Sequence, residues 1–147
     1  MKTRFLTLAA ALASLVLVGC VSSHQIVPFP DQSKTVSDPT KGRIYVFRPA
    51  NSGGAVAMEI FDDGKLVGIT GAAGYLCWER PPGQTVISAK AENMSSVNLP
   101  VQAGKAHYIF QHMAMGWVQA RNRLEIVSEE EGLKILKKCK PPKIAVE

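Results

Sequence analysis

The chain has 147 residues, a formal charge of +5 and 46% hydrophobic residues, enough for one modest domain that buries a core without metals or many crosslinks. Its basic excess contains no long Lys/Arg run, which argues against a nucleic-acid partner and fits solvated surface charge or rest against anionic lipid or glycan.

Lys2 and Arg4 precede an apolar run from Phe5 to Val18 and the small residue Gly19. These are the three regions of a secretory signal, and the apolar core is too short to span a bilayer as a helix. The tetrapeptide Leu17-Val18-Gly19-Cys20 resembles the lipobox of bacterial lipoproteins. That resemblance implies a diacylglycerol on the Cys20 thiol, removal of residues 1–19 as a signal peptide, and acylation of the new amine. The competing readings are an ordinary secretory cut near Gly19 and an uncleaved anchor. Two or three acyl chains, each worth on the order of 0.8 kcal/mol per buried methylene, hold a domain at a membrane in a way one chain cannot. An aspartate after the lipidated cysteine resembles an inner-membrane retention signal; Val21 does not, so the expected place is the outer membrane, facing the periplasm.

Residues 20–41 are rich in Ser, Thr and Pro without sustained periodicity and read as a lipidated cysteine on a flexible tether. Such a coil reaches about 25 Å root-mean-square. Ile26, Val27 and Phe29 are unusually apolar for a tether, which suits a segment lying partly along the domain or the lipid surface. From Gly42 to about residue 140 the chain alternates short β-branched and aromatic runs with Gly, Pro and Asn. Strands are predicted at Arg43–Arg48, Ala55–Asp62, Lys65–Thr70, Tyr75–Glu79, Gln84–Ala91, Ser95–Val101, Lys105–Met113 and Trp117–Val127. Asp63-Gly64 closes the clearest hairpin, since both positions tolerate positive φ. The prediction is a mainly β fold, an antiparallel β-sandwich of about eight strands with one short C-terminal helix. Ile44-Tyr45-Val46-Phe47, apolar on both sides, suits a central strand covered on its outer face.

Ser128 followed by Glu129, Glu130 and Glu131 is a capping pattern with acids at the positive end of the helix dipole, and Lys134, Lys137 and Lys138 occupy the last turns. Pro141 and Pro142 stop the helix, leaving 141–147 as a tail. Ile135, Leu136 and Cys139 share one stripe, while Cys77 lies opposite Leu76 and Trp78 on its strand. A helix packed outside that strand could bring Cys139 to Cys77. A bridge there would contribute roughly 4 kcal/mol in the chain-entropy model; the other reading is two buried free thiols.

Catalysis needs convergent groups, and few are offered. His107 and His112 fall on opposite faces of one strand, and His24 lies in the tether. Motifs for zinc, phosphate or a serine nucleophile are missing from the sequence, so no metal or cofactor is expected. Asp62 and Asp63 are read as solvated turn residues pointing apart, and Glu129–Glu131 as the helix cap. Arg43, Arg48, Arg80, Arg121 and Arg123 mark strand ends near Tyr45, Trp78, Tyr108 and Trp117, the composition of interaction hot spots; the favoured reading is core aromatics with solvated arginines. Met113, Met115 and Trp117 form a flexible apolar connector, the first choice for contact with a partner or the lipid surface.

Gly42-Arg43-Ile44-Tyr45-Val46-Phe47-Arg48-Pro49, then Asp63-Gly64 with Gly68, Gly74-Tyr75, Pro82-Gly83, and Ala103-Gly104-Lys105 with Tyr108-Ile109-Phe110 together resemble a family of small bacterial lipoproteins, domain of unknown function 2846. The family is similar to β-sandwich modules of the PEGA type, which implies a structural or binding role and brings no catalytic residues. The expectation is thus a lipid-anchored envelope module, not an enzyme, acting as a structural or accessory subunit for an envelope protein, with no small-molecule substrate. The alternative is an inhibitor or receptor-type module for a hydrolase or glycan.

Overall fold

The computed structural model describes residues 21–49, 56–118 and 120–145. In chain order the strands are β1 (His24–Gln25), β2 (Gly42–Arg48), β3 (Met58–Asp62), β4 (Lys65–Thr70), β5 (Gly74–Arg80), β6 (Gly83–Lys90), β7 (Met94–Val101), β8 (Ala106–Met115) and β9 (Ala120–Val127); helix α1 (Glu129–Leu136) and β10 (Lys143–Ile144) follow. They make two sheets, of order β10-β1-β4-β3-β6-β7 and β5-β2-β8-β9. The architecture is the expected β-sandwich. Alternation decides which side chains fill it. Ile44, Val46, Leu76, Trp78, Ile109 and Leu124 from the four-stranded sheet meet Ile60, Val67, Ile87, Ala89, Leu99 and Val101 from the other.

Pairing is not antiparallel throughout. β2 and β8 run parallel in the middle of the four-stranded sheet, with Tyr45 opposite Tyr108, and β1 pairs in parallel with β10. Parallel neighbours need a long connection. Here the excursion through β3 to β7 supplies it for β2 and β8. The strand expected from Trp117 begins only at Ala120, because β8 runs on to Met115 and the turn takes Gly116–Val118. The expected start at Ala55 lies outside the described residues.

The opposite faces of β2 and β5 are apolar too, and they build a second core. Tyr45, Phe47, Tyr75, Cys77 and Tyr108 are covered by Phe29 from the N-terminal segment and by Ile135, Leu136 and Cys139 at the C-terminal helix. Ser128 caps that helix by accepting from the Glu131 amide. Gly132 is required where the helix crosses β8, because a Cβ there would lie 2.4 Å from the Tyr108 ring.

Two expectations are corrected by this packing. Residues 21–41 are not a free tether. Gln25 is fully buried, and its side-chain amide pairs with the Cys77 backbone in both directions, at 2.7 and 2.9 Å, joining the two sheets along one seam. Asn93 and Ser95 close the other seam by accepting from the Asn122 and Leu124 amides. The tail is likewise held, through β10. The Cys77–Cys139 bridge is the second correction: both are free thiols, although they belong to one cluster. The Cys77 thiol accepts instead from the Gln32 side-chain amide at 3.6 Å, because the N-terminal segment lies over it.

Candidate functional site

The strand registers place the chemistry at two ends of the sandwich. At the end where β2 begins, Arg43 is completely buried and its guanidinium reaches Glu79 Oε1 at 2.8 Å, the carbonyls of Asp31 and Lys34, the Ser37 hydroxyl and Tyr45. Burial works against the Glu79 carboxylate. The Ser37 and Asp38 amides and the Arg43 guanidinium nevertheless hold its pKa below the usual carboxylate value. This knot straps residues 31–38 onto the sheet. Beside it opens a cleft of about 700 Å³ lined in part by Pro28, Asp38, Asp62, Trp78 and Arg80. Its carboxylates are engaged locally: Asp62 accepts from Trp78 Nε1 at 2.8 Å and pairs with Arg80, and Asp38 accepts from the Thr40 amide and hydroxyl. The cleft offers shape and fixed polarity.

The other end is where the described chain enters. β1 runs antiparallel to β4 with His24 opposite Ile69, so Val21–Ser23 pass the Gly71–Gly74 turn. The Gly71 amide donates to Ser23 Oγ at 2.9 Å, and a Cβ on Gly71 would stand 1.8 Å from the Val21 carbonyl oxygen. Only glycine allows that approach. Arg48 opposite Gly74, and Phe47 opposite Phe110, bring the far half of β8 to this same end. Met115 lies five positions beyond Phe110, about 15 Å further along the strand, level with the β6–β7 turn, where the Glu92 amide donates to the Ala120 carbonyl. The tip of the β8–β9 hairpin is apolar and uncovered: Met115 is 91%, Trp117 97% and Val118 88% exposed.

Basic residues gather at the same end. Lys140 bonds through its backbone to Ala73 and Tyr75, and Lys143 donates its amide to the Ser23 carbonyl. Lys137, Lys138, Lys140, Lys143 and, beside the hairpin tip, Arg121 all have exposed side chains. The acidic Glu129–Glu131 turn starts α1, whereas the chain after the helix returns to Gly74.

The remaining predicted residues disperse. Cys20 lies outside the described residues. Met113 is half-buried within β8, so the exposed connector is Met115 to Val118. His107 Nε2 accepts from the Gln102 amide, while His112 pairs with Glu125 at 2.6 Å. Cys77 and Cys139 are both pushed up to about 11 by burial, which keeps them as thiols. Asp62 and Asp63 do not point apart into solvent; both reach Arg80. Arg43 and Arg48 are buried, whereas Arg121 and Arg123 are exposed. Among the described residues no group of three or more His, Cys, Asp or Glu could hold a metal, and no helix is long and apolar enough to cross a membrane.

A protein of Haemophilus influenzae, carried as "Uncharacterized protein", is 28% identical over 129 residues, covering 85% of this chain and 77% of that one. No solved structure matches. Residues 38–122, from before β2 into β9, match the family described as "Protein of unknown function (DUF2846)". That match spans more than half of the chain, and the chain belongs to this family.

Proposed function

We propose that this protein is a lipid-anchored module of the bacterial envelope that works by contact, as a structural or accessory binding protein held against its membrane. The observation that carries the reading is the docked N-terminal segment. Val21 already touches the Gly71 turn, so a lipid on Cys20 sits one residue from the folded domain. An anchor so placed fixes height and orientation as well as location. The lipobox resemblance of Leu17–Cys20 supplies the lipid, and Val21 favours the outer membrane, facing the periplasm.

The clustered carboxylates of the cleft are held by Arg43, Arg80 and Thr40, an arrangement that suits recognition better than proton transfer. The second reading, an inhibitor or receptor-type module for a hydrolase or glycan, draws on the exposed β8–β9 tip, which has the form of an inserting loop. Fractionation separates anchored from free forms. Cys20→Ser should move the protein from the membrane to the soluble envelope fraction, and crosslinking in native membranes should recover a specific envelope protein with the wild-type chain. Unchanged fractionation of the variant would remove the lipoprotein reading; an absence of any specific crosslink would remove the accessory role.

A further inference from the structure

We infer that the β8–β9 hairpin tip is a second membrane contact, inserting Met115, Trp117 and Val118 into the interfacial layer of an anionic bilayer while Lys137, Lys138, Lys140, Lys143 and Arg121 face its headgroups. This deepens the proposed function and rests on it for the acyl anchor, but the tip and its charges are observations of their own.

Three features point to lipid as the occupant. The tip lies at the end of the sandwich where Val21 enters, so an acyl chain on Cys20 would bring the bilayer to it. An indole and a thioether on an exposed turn, with Arg121 beside it and the C-terminal lysines at the same end, form the amphipathic set that settles at a membrane–water boundary. The charge balance also differs between the two ends. The basic C-terminal segment is pinned beside Ser23 by the β1–β10 pair and outweighs Glu59 and Glu92 at that end, whereas at the opposite end Asp38, Asp62, Asp63 and Glu79 are matched by Lys41, Arg43, Lys65 and Arg80. Anionic lipid attracts the net basic end more than the charge-balanced one, which leaves the cleft facing away. The contact face for a protein partner is therefore the cleft end.

The two tryptophans make the test direct, since Trp78 is buried in the core and Trp117 is exposed. Two forms are compared: the lipidated chain reconstituted in vesicles, and mature Cys20→Ser chain mixed with excess vesicles of phosphatidylethanolamine and phosphatidylglycerol. The expected result in both is a blue shift of emission, loss of iodide quenching and quenching by brominated lipid, all abolished by Trp117→Phe. Met115→Ser with Trp117→Ser should weaken vesicle co-sedimentation of the Cys20→Ser chain by on the order of tenfold or more. Lys138→Gln, Lys140→Gln and Lys143→Gln together should weaken it at least roughly tenfold on anionic vesicles, with little effect on neutral phosphatidylcholine. Trp117 that stays fully quenchable in both forms, or that is protected only when a protein partner is added, would overturn the inference. The unlipidated arm reports on the tip even if Cys20 carries no lipid, so failure of the anchor and failure of the insertion give different results.

Discussion

Arg43 and Glu79 fasten the N-terminal segment to the sheet, because their bonds hold a stretch of backbone that has little regular structure of its own. Removing one partner of a buried pair leaves the other charge uncompensated. Glu79→Gln should therefore lower stability by about 3 kcal/mol in chemical denaturation, with residues 31–38 becoming the first segment cut by protease. The pair also predicts an acid limit. Glu79 has its folded pKa depressed, so its contribution is complete above the unfolded value of about 4.3 and is lost as pH falls through the lower folded value. Stability should drop steeply in that acidic window in wild type and less steeply in Glu79→Gln. The thiols behave in the opposite sense. Their raised pKa favours the folded state below the unfolded value of about 8.5 and is progressively lost above it. Alkylation of unfolded protein without reductant should label both Cys77 and Cys139; a pair that stays unlabelled until reduced would reinstate the bridge. The arginines bounding β2 were not legible as buried from sequence, since several of their acceptors are the backbone carbonyls of Asp31, Lys34, Val56 and Thr70, which no side-chain pattern announces.

The longer elements follow from local rules. Alternation places Val97, Leu99 and Val101 on one face of β7, the Asp63-Gly64 turn has φ of 46° and 78°, and Ser128 caps α1, so strands, hairpin and helix were all readable. The two-residue strands β1 and β10 were not. A period of two cannot be recognised in two residues, and their pairing depends on partners far away in the chain. Gly71 is the hinge of that pairing. Gly71→Val should displace Val21–Ser23 and cost about 2 kcal/mol through overpacking. Hydrogen exchange would report it as faster exchange at Ile26 and Lys143, whose amides bond to Val67 and Ser23. Unchanged protection there would mean that the close approach at Gly71 is not what holds the N-terminal strand.

At the scale of the whole molecule the sandwich has a basic and apolar end, where the chain enters, and a charge-balanced end with a cleft. This division explains why the hairpin was visible in sequence as an apolar connector while its proposed role was not: Met115 and Trp117 gain meaning only from lying at the same end of the sandwich as Val21 and Lys143. On the proposed function, a lipid on Cys20 would make the membrane part of the working structure. The most direct test is the intact mass of the protein extracted from its native membrane without reductant. The account predicts a chain that begins at Cys20, with residues 1–19 removed and two or three acyl groups added. An unacylated chain, or one beginning at another residue, would contradict it.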